Sequence, residues 1–151
     1  ALENFSAAVI ELDNAIGSLP TEDISKITKL RLKKAKAQMQ CSQLPQAYKD
    51  LENMLSEMNS DTDPKLIAET KSTLANAQYY ITWLMRLEGH SRETWEPVIE
   101  SSRQNFYAAS EFARTQGNKK SADQLIQNLE ASIKLARMDL EELQGLPLPN
   151  E

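Results

Sequence analysis

His90 and Cys41 are the only histidine and the only cysteine, and they are the side chains best suited to acid–base or nucleophilic work. His90 stands two residues from Glu88. Positions two apart on a helix do not share a face, so the pair is not the Glu-x-x-His half of a di-metal bundle site, and no second pair completes one. One cysteine cannot build a thiolate zinc site. A Cys41 nucleophile with His90 as base lacks any local signature, and a half-buried structural cysteine is the plainer reading. No glycine-rich phosphate loop and no serine elbow occur. Asn4-Phe5-Ser6 fits a glycosylation acceptor but falls within a predicted helix. No motif calls for a cofactor or a metal. An enzyme would need an unrecognised carboxylate site, with clustered acids of shifted pKa in a pocket.

Recognition chemistry is better represented. Residues 79–107 hold both tryptophans, three of the four tyrosines and the histidine. Trp, Tyr and Arg are the residues that anchor interfaces. Tyr80, Trp83, Arg86, His90 and Arg92 are therefore the candidate partner-binding residues. The competing reading is that Trp83 and Trp95 fill the core between helices. His90, in a turn after Gly89, is expected to be exposed, and a pH-switch role is open to it. A second candidate is the basic stripe Lys26, Lys29, Lys33 and Lys36, which falls on one helical face. It could bind an anion: an acidic peptide, an anionic lipid surface or a nucleic acid. It lacks aromatics for base stacking, and such stripes are commonly solvated faces paired with acids nearby, here Asp50, Glu52 and Glu57.

The chain has 151 residues and a net charge of −5, with 40% hydrophobic and 26% charged residues. That suits one soluble domain, taken as residues 1–145 with an extended tail at 146–151. The negative balance argues against a nucleic-acid backbone as partner. No run of 18 apolar residues exists, so no membrane span is expected. The chain opens on Ala1 with no visible signal peptide, which fits a cytoplasmic protein, or an exported one whose signal has been removed.

Glycine and proline punctuate a helical pattern. Gly17, Gly89, Gly117 and Gly145 each follow an amphipathic stretch, as helix stops. Pro20, Pro45, Pro64 and Pro97 each stand near a predicted helix start. Six helices result. Their caps are expected at Thr21 for the second, Asp63 for the fourth, Thr94 for the fifth, and the box Ser121-Ala122-Asp123-Gln124 for the sixth. The sixth carries an apolar stripe of Ala122, Leu125, Ile126, Leu129, Ile133, Ala136, Leu140 and Leu143 to its end. The fourth is apolar on two sides, with Leu74, Ala77 and Ile81 on one and Tyr80, Trp83 and Leu87 on the other. Such a helix is sandwiched between neighbours and should be central. No stretch alternates as a strand does.

Residues 35–55 resemble a tetratricopeptide-type helical hairpin. Ala35 occupies the small position of the first helix, Ala47 and Leu51 match small and large positions of the second, and CSQLP forms the turn. Asp63-Pro64 is similar to the acidic–proline step that closes such units, several residues late, and the first-helix Trp, Gly and Tyr pattern is absent. The resemblance spans about one repeat. It implies an all-α chain of antiparallel helices stacked as a superhelix, and a scaffold that binds peptides or proteins in a groove. An up-and-down bundle is the alternative architecture. The functional expectation is a non-enzymatic interaction module, and the alternative is a homo-oligomeric structural subunit.

Overall fold

A computed structural model describes residues 1–147. The described chain is all-α, with seven helices and no strand: α1 (Leu2–Ser18), α2 (Ile24–Met39), α3 (Leu44–Glu57), α4 (Pro64–Leu87), α5 (Arg92–Thr115), α6 (Lys119–Arg137) and α7 (Leu140–Gln144). Two compact units divide within α4, one covering Ala1–Thr73 and the other beginning at Leu74. Of the expected tail, Leu146 and Pro147 follow α7 in irregular conformation. Residues 148–151 lie outside the described residues.

Three helices end in the same way. His90 N–H bonds to the Met85 carbonyl, Asn118 N–H to Ala113 and Gln43 N–H to Gln38, each bond reaching back five residues. Such a closure needs one residue in the left-handed region. Gly89 (φ 82°) and Gly117 (φ 74°) supply it for α4 and α5, and Ser42 (φ 62°) supplies it for α2. Gly17 instead lies inside α1, and Gly145 is right-handed at φ −80°.

Several starts differ from expectation. Thr21 sits in a turn, and α2 begins after Asp23. Helix α5 begins after Ser91 rather than Thr94, which places Pro97 inside the helix. Asn118, not Ser121, caps α6, its side chain accepting from the Ser121 N–H at 3.1 Å. The expected sixth helix is two, because Asp139 accepts from the Glu142 N–H at 2.8 Å and starts a new helix. Asp63 does cap α4, accepting from the Lys65 N–H at 3.1 Å.

In the first unit α2 packs against both α1 and α3. Ala35 on α2 and Ala47 and Leu51 on α3 are fully buried. Small side chains at such positions let helix backbones approach closely. Val9 is the one fully buried residue of α1, packed with Ala37 and Cys41, and Leu2, Phe5 and Ile10 are exposed. Ion pairs bind the edges: Lys34 to Asp13 at 2.7 Å, and Arg31 to Asp50 at 2.6 Å and Glu57 at 2.8 Å.

In the second unit the later part of α4 packs with α5, α6 and α7. No residue of α4 from Leu74 to Leu87 is exposed, as its two-sided apolar pattern requires. Trp83, Trp95, Ile99, Leu135, Met138 and Leu143 form one apolar cluster. A polar layer adjoins it. Gln78 donates to Ser101 at 2.8 Å and accepts from Asn105 at 3.1 Å, and buried Ser102 donates to the Ala75 carbonyl at 2.7 Å. On α6 the deeply buried side chains are Ser132 and Leu135, while Ile133 and Ala136 of the expected stripe are only half-buried.

Candidate functional site

The aromatic hairpin is built as a joint between helices. Trp83 retains 7% of its surface and Arg86 9%. Arg86 Nη1 donates to the Leu135 carbonyl at 2.7 Å, and its guanidinium lies 4.5 Å from the Trp95 ring centroid. Arg92 lies 5.3 Å from the same ring. Burial, and then the charge of Arg92, lower the pKa of Arg86, while Asp139 opposes them. Leu135 belongs to the last turn of α6, where carbonyls lack intrahelical donors and a cation meets the negative end of the helix dipole. Tyr79 packs edge-on to Tyr80, with centroids 5.6 Å apart, and lies 6.0 Å from Trp83; burial raises its pKa.

The structure thus brings Trp83, Arg86 and Arg92 together around Trp95. Trp83 and Arg86, expected to anchor a partner, are buried and keep less than a tenth of their surface. Tyr80 is half-buried. His90 is exposed and bonds to Glu88 at 3.1 Å, while Arg92 pairs with Glu96 at 3.2 Å. Glu88 and His90 meet because both follow the end of α4, where helical spacing no longer separates them. Cys41 is buried beside Val9 and Ala37.

The basic stripe is solvated. Lys26, Lys29, Lys33 and Lys36 are all exposed. Lys26 comes within 3.9 Å of Asp23, and among the described residues Lys29, Lys33 and Lys36 form no ion pair. Of the acids of α3, Asp50 and Glu57 are taken by Arg31, which is not part of the stripe. Burial alone would lower the pKa of Arg31, but hydrogen bonds to Asp50 and Glu57 outweigh it and raise the value.

A groove in the first unit was not among the expected sites. It encloses about 500 Å³ where α2 begins, α3 ends and α4 begins. Ile24, Met54, Met58 and Leu66 give it apolar walls, and Arg31, Glu57, Asp61 and Asp63 give it polar ones. Ile24 is 71% exposed, the most exposed large apolar side chain among the described residues. The loop before α4 is set by its own bonds: Asn59 Oδ1 accepts from Asp61 N–H at 2.8 Å and Thr62 Oγ1 accepts from Asn59 N–H at 3.1 Å. One signal was available in the sequence. Ile24 opens α2 directly after the acids Glu22 and Asp23.

Among the described residues no group of three or more His, Cys, Asp or Glu side chains is placed to hold a metal ion. No helix there is long and apolar enough to cross a membrane. Compared with known proteins, the chain matches no family model, no curated protein and no solved structure.

Proposed function

We propose that this chain is a non-enzymatic protein- or peptide-interaction module, with tetratricopeptide-like stacking of helical hairpins in its first unit. The observation that carries the reading is the open groove at Ile24, Met54, Met58 and Leu66, where Ile24 stands 71% exposed and Met58 half-buried above a floor of buried Met54 and Leu66. An uncovered apolar surface rimmed by polar groups is the usual mark of a recognition site. The stacking is supported by Ala35, Ala47 and Leu51, fully buried on the packed helices α2 and α3. Methionine walls adapt to varied side chains, which suits peptide recognition.

The test is photo-crosslinking. A benzoylphenylalanine is placed at Met58, and a control chain carries it at Tyr107, an exposed residue of α5. After irradiation in cell extract, partners crosslinked from position 58 and absent from position 107 are the expected result. Equal labelling from both positions, or none, overturns the reading. Crosslinks confined to copies of the chain, with a mass that rises with concentration, would replace it with a structural homo-oligomer. The exposed Leu2, Phe5 and Ile10 of α1 are where such self-association would be sought.

A further inference from the structure

We infer that the groove of the first unit takes a short segment of cationic and apolar character, an apolar side chain flanked by lysine or arginine. The inference rests on the interaction reading above and assigns the chemistry of the partner. Its basis is the imbalance of charge around an apolar floor. Three carboxylates line the groove, Glu57, Asp61 and Asp63, against one cation, Arg31. No lysine lines it. Arg31 is already committed, with Nη1 on Glu57 at 2.8 Å and Nη2 on Asp50 at 2.6 Å, so it has little left for an incoming anion. Among the described residues Asp61 forms no ion pair, and Asp63 spends one oxygen on the α4 N-terminus.

An acidic partner would therefore meet uncompensated carboxylates, whereas a basic one would neutralise them. The apolar floor supplies the other half of the recognition. Ile24 stands at the mouth, and Met54 and Leu66 are buried at 1% and 5% exposure beneath it. A volume near 500 Å³ accommodates one or two large apolar side chains rather than a whole helix. The exposed lysines of α2, at 29, 33 and 36, do not line this groove, so the two surfaces can be separated by substitution.

The experiment is fluorescence anisotropy on the full chain with two labelled probes of one pattern. One is a twelve-residue peptide of leucine and lysine, the other the same peptide with glutamate for lysine. The leucine–lysine peptide should bind, and binding should weaken at least about tenfold in Ile24→Ser, which removes the apolar contact without adding charge, and again in Asp61→Lys. Both positions are exposed, and circular dichroism of each variant verifies that it is folded. The triple variant Lys29→Glu, Lys33→Glu, Lys36→Glu should leave this binding undiminished. Unchanged affinity in the Ile24 and Asp61 variants overturns the inference, because the peptide would then be held by general charge attraction. Preference for the leucine–glutamate peptide also overturns it. If that peptide's binding disappears in the lysine variant, the interaction reading survives on a different face. If neither peptide binds while Met58 still crosslinks to partners, the cationic chemistry falls and the groove stands.

Discussion

Arg86 of α4 donates from Nη1 to the carbonyl of Leu135, at 2.7 Å, so a helix that ends inside the second unit is capped by a side chain from another helix. The guanidinium also stacks over Trp95 of α5. One residue thereby joins three helices. Removing it orphans a buried carbonyl, at about 1–3 kcal/mol, and forfeits a cation–π contact of about 1–2 kcal/mol. Arg86→Ala should lower stability by about 3 kcal/mol in urea denaturation. Arg86→Lys should recover little, since an ammonium cannot stack flat on the indole and reach the carbonyl together. A loss below about 1 kcal/mol would mean that the joint is redundant.

Ser42 closes α2 at φ 62°, in the role that Gly89 and Gly117 fill for α4 and α5. A residue with a Cβ is strained there by about 1–2 kcal/mol. Ser42→Gly should therefore raise stability by about 0.5–1 kcal/mol, the relief being partly offset by the greater freedom of glycine in the unfolded chain. Ser42→Val should do the opposite, because a β-branched side chain fits the left-handed region poorly. Thermal unfolding of the two variants reads the order. A less stable glycine variant would show that the serine hydroxyl has an unrecognised task.

The same two-sided pattern explains both what the sequence disclosed about α4 and what it concealed. Apolar residues on both faces marked a sandwiched helix, and no residue from Leu74 to Leu87 is exposed. That burial also takes in Trp83 and Arg86, so residues that looked like interface anchors are core by the logic that placed the helix. Helix ends were less legible. Asn118 and Ser121 are both good caps three residues apart, and local sequence does not choose between them. Leu140 and Leu143 continue the spacing of α6, which hid the break at Asp139. With the break, Leu143 is fully buried and Leu140 is 43% exposed, a phase that continuous helical spacing does not give. The groove escaped notice because it is made by three helix ends far apart in sequence, none of which carries a motif.

Acid should weaken the second unit through α5. Glu100 accepts hydrogen bonds from Arg103, which hold its carboxyl below the ordinary glutamate value, and Arg114 does the same for Glu111. A carboxyl whose folded pKa lies below its unfolded one stabilises the fold above the unfolded value. That stability is lost as pH falls through the folded value. Both pairs are exposed, so the effect is small and screened by salt. The melting temperature of the protein should exceed that of Glu100→Gln, Glu111→Gln most clearly near neutrality. The gap should close progressively below about pH 4.5, the ordinary value. A gap that widens with acid, or one indifferent to 1 M salt, would contradict the assignment.

Arg31 and Lys33 offer a comparison at constant charge. They lie two residues apart on α2, yet Arg31 spans Asp50 and Glu57 while Lys33 is exposed and forms no ion pair among the described residues. The Arg31 and Asp50 side chains keep only 21% and 24% of their surface. Asp50 Oδ2 is buried without a hydrogen-bond partner, so its charge depends on Arg31 at Oδ1. Arg31→Ala should therefore cost about 1–3 kcal/mol, most of it from leaving a half-buried carboxylate uncompensated. Lys33→Ala should fall within about 0.5 kcal/mol of the parent. If net charge governed stability, the two losses would be equal; if pairing governs, they separate. Asp50→Asn decides the cause. On that background Arg31→Ala should cost measurably less, because the charge it would have stranded is gone. An undiminished cost would locate the contribution of Arg31 in its packing against the groove wall rather than in its ion pairs.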